Sequence, residues 1–455
     1  MEADTTTGTS ILEAPEAQAL LEQATLTPAA VRGCESRLTR FLERYLPLFY
    51  RKEQRENATI VIEGLLSGLD RKTCEPIAIE HGVHRKPIQS FVGCSTWDDE
   101  TVMAELRRHV KEELGDPNAV LVIDPSAFPK KGNESCGVKR QWCGRLGKTE
   151  NCQVGVFLCY ASPKGHAPLD RKLYLPEEWA ADQERRQKCH VPAEVVFQEK
   201  WRIGLAMVDR CREEGLPHGW VGGDDELGRP SEFRAELRAR NERYVLDVPC
   251  NTNIRDLEAR RPPRGPGGKG RKRKVPFVPM HQWLAAQPES AWRKVTLRPG
   301  SKGPLEVEAL TRRVQTRDEH RRVGPEERLL VVRSVVEGKP KIDYSLSNAR
   351  PEVTLEELVR AHGQRYRIEQ MLEEGKGEAG LAHYEVRSWV GWHHHVTLAL
   401  LGLWFLVLEK GRVGKKNLSG GNGPAGAGDL HPPAARSAAT SRRDRPAGQR
   451  GASPQ

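Results

Sequence analysis

Residues 119–124 read AVLVID. Five apolar residues in succession, three of them β-branched, suit a strand buried on both faces, since a strand with one wet face would alternate. The run stops at Asp124. A carboxylate there loses hydration as the strand is buried, so it needs a partner or a task. Two other acids stand in comparable contexts. Asp224 closes the segment HGWVGG (218–223), and Glu369 lies within RYRIEQMLEEGK (365–376), which reads as helix. Asp225 adjoins Asp224 and is an alternative to it.

Upstream of the strand the texture is helical, from about Glu16 to Leu114. Arg37, Leu38, Phe41, Leu42, Tyr45 and Leu46 follow helical spacing, as do Ile60, Ile62, Leu65, Leu66 and Leu69. KTCEPIAIEH (72–81), the Gly82-Val83 break and Lys86 to Phe91 have the form of a short helix-turn-helix; an ordinary helical bundle gives the same pattern. Asp98, Asp99 and Glu100 suit the start of another helix. Downstream, strands are expected at 153–160, 169–175, 243–248, 294–297, 305–310, 328–336 and 342–346, with a helix over 194–213. Thr354 and Glu357 form a capping box for a helix running to about Lys376, and the segment from Tyr384 to Leu408 ends helical.

Composition narrows the class. The 455 residues carry 72 Lys and Arg against 62 Asp and Glu, a net charge of +10. The excess is local. RRPPRGPGGKGRKRK (260–274) holds eight basic and no acidic residues, and residues 412–455 hold eight basic and two acidic ones, so the rest is net acidic. Both segments read either as solvated chain or as phosphate contacts. The longest mainly apolar run, Val396 to Leu408, has 13 residues, short of the roughly 18–20 that span a bilayer. The start, MEADTTTGTS, lacks a signal-like pattern, and a cytoplasmic protein is expected. Ten cysteines without a C-x-x-C pair point to reduced thiols rather than a zinc site.

The acids invite a hard divalent cation. Mg²⁺ takes a few carboxylates together with waters and phosphate oxygens. Two such ions would activate a water or 3′-hydroxyl and steady the leaving oxygen of an in-line displacement. Arg365, Glu369, Leu372 and Lys376 are spaced four, three and four, so they share one helix face. Such a face also forms as an exposed salt-bridged helix.

Three stretches resemble bacterial insertion-sequence transposases of the DDE type, the group with a Tyr-x2-Arg-x3-Glu-x6-Lys signature. They are VLVIDPSAFPKKGNESCGVKRQWCGRLGKTENCQVGVFLCY (120–160), GGDDELGRPSEFR (222–234) and QRYRIEQMLEEGKGEAGLAHYEVRSWVGWHHHVTLALL (364–401). The likeness runs from about residue 40 to 413. It implies an α/β fold with a ribonuclease-H-like core, a β-rich insertion and an α-helical N-terminal region. It implies Asp124, Asp224 and Glu369 as catalytic acids and metal ligands, with Arg365 and Lys376 on the signature Arg and Lys. Two Mg²⁺ ions, with Mn²⁺ able to substitute, would serve cleavage of element ends and strand transfer. The partners would be double-stranded DNA and further copies of the chain in a DNA complex, without a membrane, in a bacterial cytoplasm at the nucleoid. The expected division is an unstructured start (1–14), a helical DNA-binding region (15–115), the first part of the core (116–250), the insertion with its basic loop (251–350), core helices (351–413) and a low-complexity tail (414–455).

The sequence departs from the signature at His362, where Tyr is usual, and at Leu372, Pro125, Ser126 and Leu227. The tail reads either as an appended adaptive segment or as out-of-frame coding. A catalytically decayed DNA-binding remnant and a nuclease without joining activity are therefore rival readings. Lys130, Lys131, Lys139, Arg140, Arg145 and Lys148 form a basic hairpin beside the first acid, and with Arg271, Lys272, Arg273 and Lys274 they are candidate DNA contacts. Trp283 and Trp292 could stack on a displaced base or serve the core. His393, His394 and His395 point about 100° apart on a helix, so packing or DNA contact suits them better than one shared ion.

Overall fold

The computed structural model describes residues 33–262, 274–300, 303–318, 320–336 and 339–419. Among the described residues, five α-helices come first: α1 (Cys34–Glu43), α2 (Lys52–Leu66), α3 (Cys74–Glu80), α4 (Arg85–Gly93) and α5 (Asp99–Leu114). Asp98 caps α5, accepting from the Glu100 N–H at 3.0 Å, and acids in the first turn suit the helix dipole. Gly82 joins α3 to α4 at φ 63°, a left-handed conformation that favours glycine.

The strands build one twelve-stranded sheet. β1 (Val120–Pro129), β2 (Lys139–Cys143), β3 (Lys148–Ser162) and β4 (Gly165–Leu173) are followed by helix α6 (Lys200–Glu213), strand β5 (Trp220–Gly223), helix α7 (Ser231–Ala239) and strand β6 (Tyr244–Asp247). β3 lies antiparallel to β1, β2 and β4, whereas β1, β5 and β6 run parallel. α6 and α7 supply the crossovers that parallel neighbours require. The sheet continues through β7 (Asn253–Asp256), β8 (Val278–Pro279), β9 (Arg293–Gly300), β10 (Gly303–Arg317), β11 (Val323–Val336) and β12 (Lys339–Ser347), with β12 antiparallel to β6. This β-rich part has its own small core around Ile254, Met280, Trp283, Val314, Leu329 and Val331.

Three helices close the described chain: α8 (Leu355–Gly363), α9 (Tyr366–Gly377) and α10 (Trp389–Ser419). α10 is apolar on nearly every side over its first half, as a helix inside a core must be. Trp392, Val396, Leu398, Leu400, Leu401, Leu403 and Trp404 are all buried. On one side it meets β4 and α9; on the other it meets α2, α4 and α5. One apolar cluster therefore runs from Phe41 through the sheet to Phe405. A buried charge network reinforces the junction. Arg171 on β4 donates to Thr397 Oγ1 of α10 at 3.0 Å and pairs with Glu100 of α5 at 3.2 Å, while Asp170 pairs with Arg210 of α6 at 2.8 Å. Removing one partner from such a network leaves an uncompensated buried charge.

Several boundaries differ from expectation. The helix expected over 194–213 starts at Lys200. The helix expected through Lys376 is two, α8 and α9, parted at Gln364 and Arg365. α10 continues to Ser419, into the stretch expected as tail. The start (1–14), most of the tail, and Arg271, Lys272 and Arg273 of the basic loop lie outside the described residues. All ten cysteines are free thiols. No helix among the described residues is long and apolar enough to cross a membrane.

Candidate active site

The register of the parallel strands positions the acids. Ile123 of β1 pairs with Gly223 of β5, and Gly223 pairs with Leu246 of β6. The next residues are Asp124, Asp224 and Asp247. Three aspartates thus sit at one level across three adjacent parallel strands, Asp124 midway along β1, Asp224 just past β5 and Asp247 at the end of β6, with strands about 4.8 Å apart. The carboxyl ends of parallel strands are where open α/β sheets collect ligands. Local folding then separates their roles. Asp224 caps a short helix, Asp225–Gly228, accepting from the Leu227 N–H at 3.1 Å. Asp225 instead is exposed and pairs with Arg229 at 3.8 Å.

Asp247 was not among the residues singled out from sequence, although RYVLD (243–247) has the same grammar as AVLVID. It is buried, with Ser345 Oγ donating to it at 2.6 Å. His362 Nε2 lies 3.2 Å away and Arg365 Nε 3.0 Å away. Burial opposes its charge, but His362, Arg365 and the Ser345 hydroxyl outweigh that and hold the carboxyl below its usual range. Arg365 also reaches Glu369 Oε1 at 2.8 Å. Burial works against the Arg365 charge, yet Asp247 and then Glu369 keep the guanidinium above its usual range. Lys376 Nζ donates to Ser126 Oγ at 2.8 Å and lies over the Phe128 ring. The shared face of α9 therefore docks on β1 beside Asp124, with Leu372 buried within it.

Asp124 and Asp224 are the strained carboxyls. Desolvation, then the charge of Asp224, pushes Asp124 well above the ordinary range; Glu369 adds to this, and Arg365 and Lys376 oppose it. Desolvation raises Asp224 to about 6, against the Leu227 N–H and with help from Glu226 and Asp225. Two crowded, mutually repelling carboxylates are a hard-oxygen donor pair that a divalent cation would relieve. Glu369 is held by Arg365 instead, and no group of three His, Cys, Asp or Glu side chains among the described residues is gathered closely enough for a metal ion.

A stability consequence follows from Asp224. Its carboxyl binds a proton more tightly folded than unfolded, so stability falls as pH rises from about 4 toward 6. Asn keeps the cap and cannot ionise. In chelator at pH 7.5, Asp224→Asn should melt about 3 °C above the native chain, with the difference closing toward pH 4. Equal melting temperatures at pH 7.5 would mean that burial does not disfavour the Asp224 carboxylate.

The other candidates fall into groups. Lys130 is turned inward, its Nζ 3.3 Å from the Tyr384 carbonyl and 3.4 Å over the Tyr384 ring, and burial lowers it to about 8. Lys139 pairs with Glu178 at 2.6 Å and Lys148 with Glu150 at 3.0 Å. Lys131, Arg140 and Lys274 are exposed, and Arg145 lies in the turn before β3. His393, His394 and His395 are buried and bonded to the carbonyls of Trp389, Trp97 and Gly380 at 2.9, 3.1 and 3.0 Å. Burial lowers all three, so they serve packing as neutral rings. Trp283 is buried and donates to Asp256 at 2.9 Å. Trp292 is half-buried beneath Arg333, 4.4 Å from the ring centre.

Residues 44–304 match the family described as DDE superfamily endonuclease. That span includes Asp124, Asp224 and Asp247 and stops short of Glu369. The chain is 26% identical over 196 residues to the probable transposase for insertion sequence element IS701 of Microchaete diplosiphon, covering 43% of this chain and 49% of that one. It thus spans about half the length of that curated relative. The cryo-EM structure of the piggyBac transposase synaptic complex with hairpin DNA aligns with a TM-score of 0.39 at 11% identity, over 81% of this chain and 67% of that chain.

Proposed function

From a chain that belongs to the DDE superfamily endonucleases, we infer a DNA transposase that cuts the ends of its element and joins them to target DNA. The observation that carries this is the pair Asp124 and Asp224, set side by side on parallel strands with carboxyls raised by burial and then, for Asp124, by the charge of Asp224. The core is ribonuclease-H-like in this reading, supported by the antiparallel meander β1, β3, β4 continued by the parallel strands β5 and β6. The helical N-terminal region and the β-rich insertion are then appendages that hold DNA, with the basic loop containing Arg271 to Lys274 as an electrostatic contact.

The DDE endonuclease family uses divalent metal ions. Here Asp124 and Asp224 would hold Mg²⁺ or Mn²⁺, and Glu369 would complete a two-ion site on leaving Arg365. Bound there, the ions supply charge neutralisation and an activated oxygen nucleophile. Glu369 is 55% exposed along its side chain, so a rotamer change suffices to free it. Arg365 remains anchored by Asp247 through Nε, and its Nη1, once Glu369 leaves it, would be available to a phosphate. Lys376, fixed by Ser126, places a second cation beside the acids. Such contacts position the phosphodiester for in-line attack by water, then by the freed 3′-hydroxyl.

The test is a supercoiled plasmid carrying the DNA that flanks the coding region, incubated with the full chain and Mg²⁺. Nicked donor together with joined product is the expected result. Nicking without joining would leave a nuclease; neither product, with DNA binding retained, would leave a binding remnant.

A further inference from the structure

The β2–β3 ribbon extends the catalytic strand outward, and its two faces differ in chemistry. Strand register assigns the faces. Asp124 pairs with Phe157, Ser126 with Gly155 and Phe128 with Gln153 across β1 and β3. Along β3 the same face continues through Asn151 and Thr149, whose partners on β2 are Arg140 and Trp142. Paired residues share a face and alternate residues return to it. Arg140 and Trp142 therefore lie on the face that carries Asp124. The opposite face carries Lys139, Lys148 and Glu150, where both lysines are spent on carboxylates.

The outer part of the Asp124 face is unusual. Trp142 is 65% exposed. Arg140 is exposed and forms no ion pair among the described residues, and Thr149 beside Trp142 is exposed as well. Asn151 donates to the carbonyls of Lys130 and Gly132 at 2.9 and 3.0 Å, fixing against the ribbon a loop whose Lys131 is exposed. No carboxylate occupies this face of the ribbon from Asn151 outward. An exposed indole flanked by unspent cations complements a polyanion with accessible sugar and base surfaces, and a two-stranded ribbon fits the major groove of a duplex.

We propose that the β2–β3 ribbon is a DNA-contacting arm, with Arg140 on phosphate and Trp142 against base and sugar edges in the groove of the duplex held at Asp124. This rests on reading Asp124 and Asp224 as a centre acting on DNA. The reach follows from the register. Phe157, opposite Asp124, and Thr149, opposite Trp142, are eight residues apart on β3, which is about 27 Å of strand. At 3.4 Å per base pair the contact falls about 8 base pairs from the reacting bond.

Binding of the full chain to a fluorescein-labelled 24-base-pair duplex of arbitrary sequence, followed by anisotropy across a salt series, tests the arm. Trp142→Ala should weaken binding about tenfold without changing the salt slope, because an apolar contact with base and sugar edges releases no counterions. Trp142→Phe should restore most of that loss. Arg140→Gln should reduce the slope of log K against log salt by about 0.9, the share of one phosphate. Unchanged affinity for both Trp142→Ala and Arg140→Gln overturns the arm, as does altered sedimentation of DNA-free Trp142→Ala, which would mark a contact between chains. Plasmid nicking is followed in parallel. Native nicking with unaltered Trp142→Ala binding defeats the arm alone, whereas tight, Trp142-dependent binding without nicking defeats the catalytic reading alone.

Discussion

Asp124→Asn is expected to lower the single-turnover rate of strand nicking at least ~1,000-fold, a loss of about 4 kcal/mol of transition-state stabilisation. Duplex affinity should stay within about twofold, since affinity rests mainly on Lys and Arg. Asn matches Asp in shape and removes only the charge that a cation would bind. The fold should tolerate it well, because burial and then the charge of Asp224 already disfavour the native carboxylate. Asp224→Asn and Glu369→Gln should fall equally far. Asp225→Asn is the control: that side chain is 55% exposed and engaged with Arg229, and its loss should leave nicking within about threefold. Nicking by Asp124→Asn at more than a tenth of the native rate would remove Asp124 from the site. At subsaturating Mg²⁺ the native rate should also climb as pH passes about 6, where the metal-free Asp224 carboxyl loses its proton. A rate independent of pH between 5 and 7.5 would contradict that assignment.

A chain ending after His395 should not fold. It lacks Val396, Leu398, Leu400, Leu401, Leu403, Trp404 and Phe405, all buried. Each such side chain contributes about 1.5–3 kcal/mol by burial, so their sum rivals the whole stability of a typical domain, about 5–15 kcal/mol. Thr397, the partner of Arg171, is lost with them, leaving part of a buried guanidinium without its acceptor. Insoluble protein, or soluble protein without a cooperative melt, is the expected outcome. By contrast a chain ending after Ser419 loses only Leu430 among large aliphatic residues and no aromatic. Its melting temperature should stay within about 2 °C of the native value. Cooperative unfolding of the shorter chain at the native temperature would mean that α10 is not the shared core element.

Asp124 could be read from sequence because it follows the apolar run AVLVI, whereas Asp224, after HGWVGG, stood out mainly through the resemblance. Asp247 escaped notice because its meaning lies in its neighbours. RYVLD is short and begins with Arg243 and Tyr244, and the Ser345, His362 and Arg365 that hold Asp247 come from other elements. The cations of the hairpin were visible as charges. Which of them are spent was not, because Lys139 meets Glu178 only when the helix after β4 folds back beside β2, and Lys148 meets Glu150 only once that segment is a strand, which puts residues two apart on one face. The exposed Trp142 was hidden for a related reason, since an indole in a strand ordinarily reads as core. Helical periodicity likewise revealed the apolar faces of α1 to α5 but not what they cover. A pattern specifies a face, and only the fold supplies its partner.

That partner, α10, sets the order of events during synthesis. Arg37 on α1 pairs with Glu409 on α10 at 2.7 Å, and Phe41 meets Phe405 with ring centres 5.4 Å apart. The first described helix thus closes on the last, with almost the whole chain looped between them. Contacts of such long sequence separation form late and slow folding. While the ribosome is still extending the chain, the parts of α2, α4 and α5 that meet α10 are uncovered, so the nascent protein is exposed to aggregation and proteolysis until α10 emerges. The sheet that carries Asp124 and Asp224 and the N-terminal helices consequently mature together, in one late step, rather than as successive independent modules.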